Sequence, residues 1–462
     1  MNPSLRDAEV LQQLQAAMAA YRCDEDERAW QHGQRAMQLD PNRVESWTLL
    51  GMLHRKAGRI PEAIAAYQQA ITLQPFFADT YNNLGNLLLR EQNQVDEAVA
   101  CYRQVVQLRP DSVDALYNLG AALREGGQVE EAVACFDRVI ALQPDHVDGH
   151  WSLALALLLM GNYRRGWPEY EWRWRLAEVT PRLFRMPQWD GSALDGRTIL
   201  VHAEQGLGDT LQFIRYVPWV ADRGGRVMLE VGDPLARLLQ RFPGVAHLVP
   251  QRGPWPDFDC HVPLLSLPGL FATESTTIPD RIPYLAVDAP IVAHWSRRLR
   301  RQRQSVVRVG LVWGGNPNVK NDRWRSPRLR PLLDLFTVTG VDFYLLQHGD
   351  GRRDLESLSL PDHVIDIAAE VKDMADTAAI MAQLDLVISS DTATAHLAGA
   401  LGLPAWILLP FAPDWRWMLG RRDTPWYPTL KLFRQARMGC WRGVVSEVKQ
   451  ELQQLITEIM RQ

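Results

Sequence analysis

The run Gly206-Leu207-Gly208-Asp209 places a carboxylate directly behind two glycines. Glycines let a backbone turn tightly, and the carboxyl end of a strand is where open α/β sheets bind ligands. A carboxylate held there can accept the proton of an attacking hydroxyl. The competing use of Asp209 is as a helix cap, for which Asp is favoured. A second run, Ser390-Asp391-Thr392-Ala393-Thr394-Ala395-His396, ends an apolar stretch and opens a helical one. Amide N–H groups at a helix start can bind pyrophosphate, helped by the helix dipole, and Thr392 adds a hydroxyl. His396 follows Thr392 by one helical turn and can share its face; its alternative is helix packing. Lys320, Arg323 and Arg325 crowd the segment NPNVKNDRWRS. A cation there would stabilise a diphosphate that gains charge as its bond breaks. The plain alternative is a solvated basic loop, and the sequence leaves open which of the three would act.

Regular α/β alternation must position these groups. Apolar strands are expected at 198–204, 226–231, 247–250 and 260–262, with helices at 210–222 and 234–241 between them. After a linker near 282–290 and a basic helix at 292–303, a second set of strands is expected at 307–313, 343–347, 386–390 and 405–409. Helices at 373–384 and 394–401 separate the last of these, and one at 444–460 is placed to cross back toward the first half. Asp257-Phe258-Asp259 has the spacing of a metal-binding DxD, but reads as a loop element, and no obligatory metal or other cofactor is expected.

The first third is built differently. Prolines at 41, 75, 110 and 144 recur at 34, 35 and 34 residues, and Gly51, Gly85 and Gly120 keep the same steps. With Trp47, Leu50, Ala63 and Tyr67 in place, this matches the tetratricopeptide signature. Each unit is a pair of antiparallel helices, with small residues at the close crossing and proline ending the second helix. Asn83 and Asn118 share one repeat position, and Glu45, Asp79, Asp114 and Asp148 share another. Amides so arrayed can bind a peptide backbone whatever its sequence; solvation or capping of the first helix is the alternative. Cys101 and Cys135 also share a repeat position and read as small core residues.

Composition limits the rest. Among 462 residues, 50 basic and 54 acidic side chains give a formal net charge of −4, which offers no footprint for nucleic acid. Five scattered cysteines with no CxxC pair exclude a zinc ribbon and fit a reduced, cytoplasmic setting. The N-terminus lacks the pattern of a signal peptide, and no apolar run reaches the ~18 residues of a membrane span. Seventeen tryptophans suit either packed cores or sites that hold sugars and nucleotides.

Residues from about 195 to 440 resemble the ADP-heptose:lipopolysaccharide heptosyltransferases, glycosyltransferase family 9. The resemblance rests on Gly206–Asp209, on Gly310-Leu311-Val312-Trp313-Gly314-Gly315-Asn316-Pro317, and on the segment from Ser390 to His396 with Gly399, Gly402 and Pro404. It implies a GT-B fold, two Rossmann-like α/β halves, and inverting transfer of a sugar from a nucleotide-sugar co-substrate. It implies Asp209 as catalytic base. Gly206, Gly208, Asp391, Thr392, Ala393 and His396 would bind the donor, with a basic residue among Lys320, Arg323 and Arg325 and with Gln347. Asp414-Trp415-Arg416-Trp417 would shape the nucleotide pocket. Repeats followed by such a module resemble bacterial protein glycosyltransferases of the flagellin-modifying kind. Asn83 and Asn118 resemble the asparagine ladder of the O-GlcNAc transferase groove. The expected organisation is a repeat domain over 1–175, a linker at 176–197, an acceptor-side half at 198–288 and a donor-side half at 289–462. The expected function is sugar transfer to a Ser or Thr of a protein acceptor, flagellin being the example the resemblance supplies. A glycan or lipid-linked acceptor, and a non-catalytic adaptor with a decayed transferase half, are the two rivals. Intact Asp209, Asp391 and His396 argue against decay.

Overall fold

The computed structural model describes residues 3–180, 182–251, 253–299, 307–318, 322–356 and 358–461, and divides into two compact units that meet between Ala156 and Leu157. The first unit is helical throughout. Its helices are α1 (Pro3–Arg22), α2 (Asp26–Leu39), α3 (Val44–Lys56), α4 (Ile60–Leu73), α5 (Ala78–Leu87), α6 (Val95–Leu108), α7 (Val113–Glu125), α8 (Val129–Leu142) and the start of α9 (Val147–Leu159). The repeat glycines lie where the paired helices nearly touch. A Cβ on Gly120 would stand 2.7 Å from Phe136 Cε1, and one on Gly51 would stand 2.5 Å from Tyr67 Cε1. The 35-residue step between Pro75 and Pro110 also has a structural counterpart. Its extra residue falls in a unit where α5 runs into a π-helical turn, Leu88–Gln92, that ends on left-handed Asn93; a π turn absorbs one residue without breaking a helix.

The second unit contains α10 (Tyr163–Tyr170) and two wholly parallel sheets. The first, ordered β3-β2-β1-β4, is formed by β1 (Thr198–His202), β2 (Arg226–Val231), β3 (Val245–Pro250) and β4 (Cys260–Pro263). Around it lie α11 (Leu207–Phe213), α12 (Val217–Ala221), α13 (Asp233–Leu239) and α14 (Leu267–Leu270). The single helix expected at 210–222 is therefore broken. A 3-10 turn, Ile214–Tyr216, separates α11 from α12, where Pro218 occupies the first turn, a position that suits its missing N–H.

The second sheet, ordered β10-β9-β8-β5-β6-β7, is formed by β5 (Val307–Val312), β6 (Val341–Leu345), β7 (Val364–Asp366), β8 (Leu386–Ser390), β9 (Ala405–Leu409) and β10 (Leu430–Arg434). Its helices are α15 (Ala289–Arg298), α16 (Asp322–Arg325), α17 (Leu329–Leu332), α18 (Met374–Met381), α19 (Ala393–Ala400) and α20 (Trp441–Arg461). The edge strands β7 and β10 were not expected from the sequence. The final helix also differs from expectation. Trp441, Val444, Val448, Leu452 and Ile456 of α20 sit in one core with Val309, Leu311 and Phe343 of the second sheet, so α20 covers that sheet and does not cross toward the first.

The stretch read as a linker at 176–197 is also built into the fold. Gln188 forms a bridge with His261, Trp189 N–H donates to His261 O at 2.8 Å, and His261 N–H donates to Pro187 O at 3.1 Å. Arg182 makes two bonds, 2.7 and 2.6 Å, to the fully buried Glu230 of β2. Phe184 packs on His261 at 4.3 Å and on His202 at 5.0 Å. In doubly wound sheets helices cover both faces; here Phe184 of the strap 182–189, with Trp255 and Phe258 from a later loop, packs on Leu200, Met228 and Val249. His202 and His261 share a 3.2 Å bond beneath this strap, and burial, with Arg182 nearby, drives His202 down to about 3.

Residues 163–175 likewise belong to the second unit. Arg173 donates to both carboxylate oxygens of Glu204 at 2.7 and 3.1 Å and to Ser266 at 2.8 Å. Trp167 donates to Thr273 O at 2.8 Å and meets Trp415 edge-on. Trp295, Trp313, Trp417 and Trp426 are fully buried, so these four serve the core.

Candidate functional site

The groups of interest lie beyond the carboxyl ends of the strands. Gly206–Asp209 follows β1, the Trp313–Asn316 loop follows β5, Asp391 follows β8 and Asp414 follows β9. Asp209 is the third residue of α11, and its Oδ2 accepts from Gly206 N–H at 2.9 Å, closing a cap. Its Oδ1 accepts from Arg416 Nη2. The cap alternative is thus realised, together with an ion pair that joins the two sheets' ends. Burial raises the Asp209 carboxyl above its usual range, against the pull of Arg416 and with a push from Asp414.

Gly208 answers to packing. A Cβ there would fall 2.8 Å from His396 Cδ2 and 3.5 Å from Ala393 Cα, so α11 and α19 touch through this residue. His396 is 5% exposed. Its Nδ1 shares a 3.0 Å bond with Tyr427 Oη, and its ring stacks on Trp417 at 5.4 Å. Burial, then Arg416 and Arg215, hold it well below the usual histidine range, so the imidazole is neutral. The resemblance implies a donor contact for His396; the contacts it makes here, with Tyr427, Trp417 and Gly208, are those of the packing alternative.

Thr392 caps α19 by position, but its hydroxyl pairs with Ser389 Oγ at 3.1 Å. Among the described residues, the amides of Ala393 and Thr394 have no backbone partner, as the first turn of a helix requires. Asp391 is buried beside Trp417, and burial followed by Asp414 pushes its carboxyl up to about 6, with Arg325 pulling the other way.

The three basic residues separate. Lys320 lies outside the described residues. Arg323 lays its guanidinium over Trp324, 4.8 Å from the ring centre. Arg325 lies against the loop backbone, where a Cβ on Gly315 would meet its Nη2 at 2.4 Å, and close enough to Asp391 to lower its pKa. Gln347 accepts from the N–H groups of Trp313 and Gly314 at 2.9 and 2.8 Å and donates to Gly314 O and His348 O at 2.9 and 2.8 Å. Its amide is saturated, so it holds the loop in place and does not face a ligand, a correction to the expected donor contact. Asp259 is tied to the start of β1, its N–H on Thr198 O and its Oδ2 on Thr198 N–H.

Gln212 Nε2, Arg325 Nε and Ser390 Oγ are buried polar atoms of this region that find no hydrogen-bond partner among the described residues. Orphaned buried groups are uncommon in folded chains. Arg416, expected to help shape a nucleotide pocket, instead ties Asp209, Gln212 and Asp414 together. Its Nε donates to Gln212 Oε1 at 2.5 Å and its Nη1 to Asp414 Oδ1 at 2.8 Å. The local signal is a charged residue between two tryptophans; two of its partners, Gln212 and Asp209, lie some 200 residues away.

In the first unit, Asn118 Nδ2 donates to Asn82 Oδ1 of the preceding repeat at 3.0 Å, and Asn83 is half-buried. Asp79 of the acidic stripe pairs with Arg109, and Glu45 with Arg43. The chain thus combines a tetratricopeptide-type helical solenoid with a parallel α/β unit, and known proteins match it as follows. The TPR repeat family matches residues 51–90, 87–124 and 121–161. Protein FlbA of Caulobacter vibrioides is 32% identical over 323 residues, covering 63% of this chain and 52% of FlbA. The chain therefore spans about half the length of this curated relative. Among solved structures, pilF of Pseudomonas aeruginosa is 19% identical, over 38% of this chain and 79% of its own, with a TM-score of 0.36. YrrB, a TPR protein with an unusual peptide-binding site, is 20% identical, over 34% of this chain and 81% of its own, with a TM-score of 0.31. Among the described residues no helix is long and apolar enough to cross a membrane.

Proposed function

We propose that the chain is an inverting GT-B glycosyltransferase that moves a sugar from a nucleotide-sugar donor to a protein Ser or Thr hydroxyl, in the cytoplasm, with the repeats capturing the acceptor. The observation that carries this reading is the meeting of the Gly206–Asp209 turn of one parallel sheet with the other: Asp209 pairs with Arg416, whose charge and that of Arg325 also reach Asp391, and Gly208 packs on the start of α19. A GT-B enzyme needs that juxtaposition, since acceptor and donor bind on opposite halves. Asp209 takes the hydroxyl proton as the oxygen attacks the anomeric carbon from the face opposite the leaving group. The bond to the diphosphate breaks, and its electron pair leaves with the diphosphate. Arg325 and the free amides of Ala393 and Thr394 balance the growing charge. His396 and Gln347 position α19 and the Trp313–Asn316 loop. Solenoids of this type present extended concave surfaces to partners, which suits a protein acceptor.

A thermal-shift panel of nucleoside diphosphates and their sugar conjugates tests the donor half. One nucleotide class should stabilise the chain, and Arg325→Ala should weaken that nucleotide at least ~10-fold, about 1.4 kcal/mol. No shift from any member, or an unchanged affinity in Arg325→Ala, would overturn the donor assignment.

A further inference from the structure

The base is not free in this structure. One carboxylate oxygen of Asp209 faces Gly206 N–H and the other faces Arg416. Arg416 comes from the other half, in the turn after β9. It is fixed in place by its bonds to Gln212 and Asp414 and by stacking on Trp415, 4.5 Å from the ring centre, with Phe213 at 5.7 Å. Its side chain is 8% exposed. A guanidinium carries five N–H groups, and the three bonds to Gln212, Asp414 and Asp209 use three of them. Such a group is too constrained to swing toward a ligand, but well placed to aim a carboxylate.

We infer that Arg416 is the positioning residue for Asp209, delivered from the donor-side half to orient the base across the junction of the two halves. This rests on the reading of Asp209 as the base. The charged and titratable groups that face the Asp209 carboxylate are Arg416, Asp414 and Tyr170, with His396 packed behind Gly208. Tyr170 and His396 are neutral, the first because burial raises its phenol and the second because burial lowers its imidazole. The charge state of Asp209 is therefore set first by burial, which disfavours the carboxylate, and then by two opposed neighbours: Arg416 favours the carboxylate and Asp414 disfavours it.

The test is the pH profile of nucleoside diphosphate release by the full chain, using the sugar nucleotide that gives the largest thermal shift. Arg416→Gln should move the acid limb upward by about one unit or more and lower kcat ~10²-fold or more, with KM for the donor within a few fold. Asp414→Asn should move the limb downward. A merely structural defect lowers rate in both variants without moving the limb in opposite directions. Where Arg416→Gln does not fold, Arg416→Lys, which keeps the charge but not the planar fork, takes its place: a kcat loss at an unchanged donor KM supports positioning, and a parental kcat overturns it. An unmoved limb in both, or a loss of donor affinity with an unmoved limb in Arg416→Gln, overturns the proposal and makes Arg416 a donor ligand or a strut. Asp209→Asn in the same assay separates the two readings. Parental turnover there removes the base itself, whereas lost turnover with unmoved limbs in the other variants removes only the role of Arg416.

Discussion

Asp391→Asn should change the stability of the chain in a way that depends strongly on pH. The carboxyl is 7% exposed and is pushed up to about 6 from an ordinary 3.8, first by burial and then by Asp414. A group whose folded pKa lies above its unfolded one holds its proton more tightly when folded. Its favourable contribution is complete below the unfolded pKa and is lost as pH rises through about 6. At ~1.4 kcal/mol per unit, the loss at pH 8 relative to the protonated state is about 3 kcal/mol. By pH 4.5 about 1 kcal/mol of this has already developed, because the unfolded group is largely ionised there. Asn keeps the shape and carries no charge. The stability of Asp391→Asn relative to the parent should therefore rise by about 2 kcal/mol between pH 4.5 and pH 8. Urea unfolding followed by tryptophan fluorescence at the two pH values measures this, since a change of that size moves the midpoint well beyond error. A difference that is flat with pH, or one that favours the parent more at pH 8, would refute the reasoning. It would mean that Arg325 and Arg416 hold Asp391 as a stable carboxylate.

Two further predictions concern the frame. Arg173→Ala should destabilise the second unit by about 3–5 kcal/mol, because it leaves Glu204 charged and buried; pairing it with Glu204→Ala should recover a large part, and equal losses in the single and double variants would remove the ion pair from the account. Gly120→Ala should cost about 1–3 kcal/mol in the repeats through overlap with Phe136, read as a lowered thermal midpoint, and Phe136→Leu in the same chain should restore part of it.

Strong periodicity made much of the fold legible. The strands at 226–231, 386–390 and 405–409 stand where a mainly apolar run ends before Gly, Asp or Pro, and β2, β8 and β9 occupy those bounds. The two missed strands lack that signal. Val364–Asp366 is only three residues long, and Leu430–Arg434 interleaves charge because it lies on an edge. The break in the helix at 210–222 is marked by Pro218, whose missing N–H suits the first turn of a new helix. The candidate site was legible where motif and turn coincide, at Asp209 and Asp391. It was illegible where a side chain is defined by distant partners. Nothing near Gln347 announces that its amide is spent on Trp313 and Gly314. Nothing local tells that Arg416 answers to Asp209, and the prolines of the strap read as a linker because its partner, Glu230, lies 48 residues on.

That strap carries a consequence for synthesis. Arg182 and Phe184 leave the ribosome before the strands they cover. At ~5–20 residues per second, Phe184 waits roughly 4–15 s for Phe258, roughly 70 residues later. During that interval Leu183, still 96% exposed in the finished fold, and Phe184 form an apolar tip with nothing to rest on. The first sheet in turn cannot bury the charge of Glu230 until that earlier segment folds back. The nascent chain therefore closes this half from its beginning and its end at once, and the seconds before closure are when it is most open to capture by a chaperone or by another copy of itself.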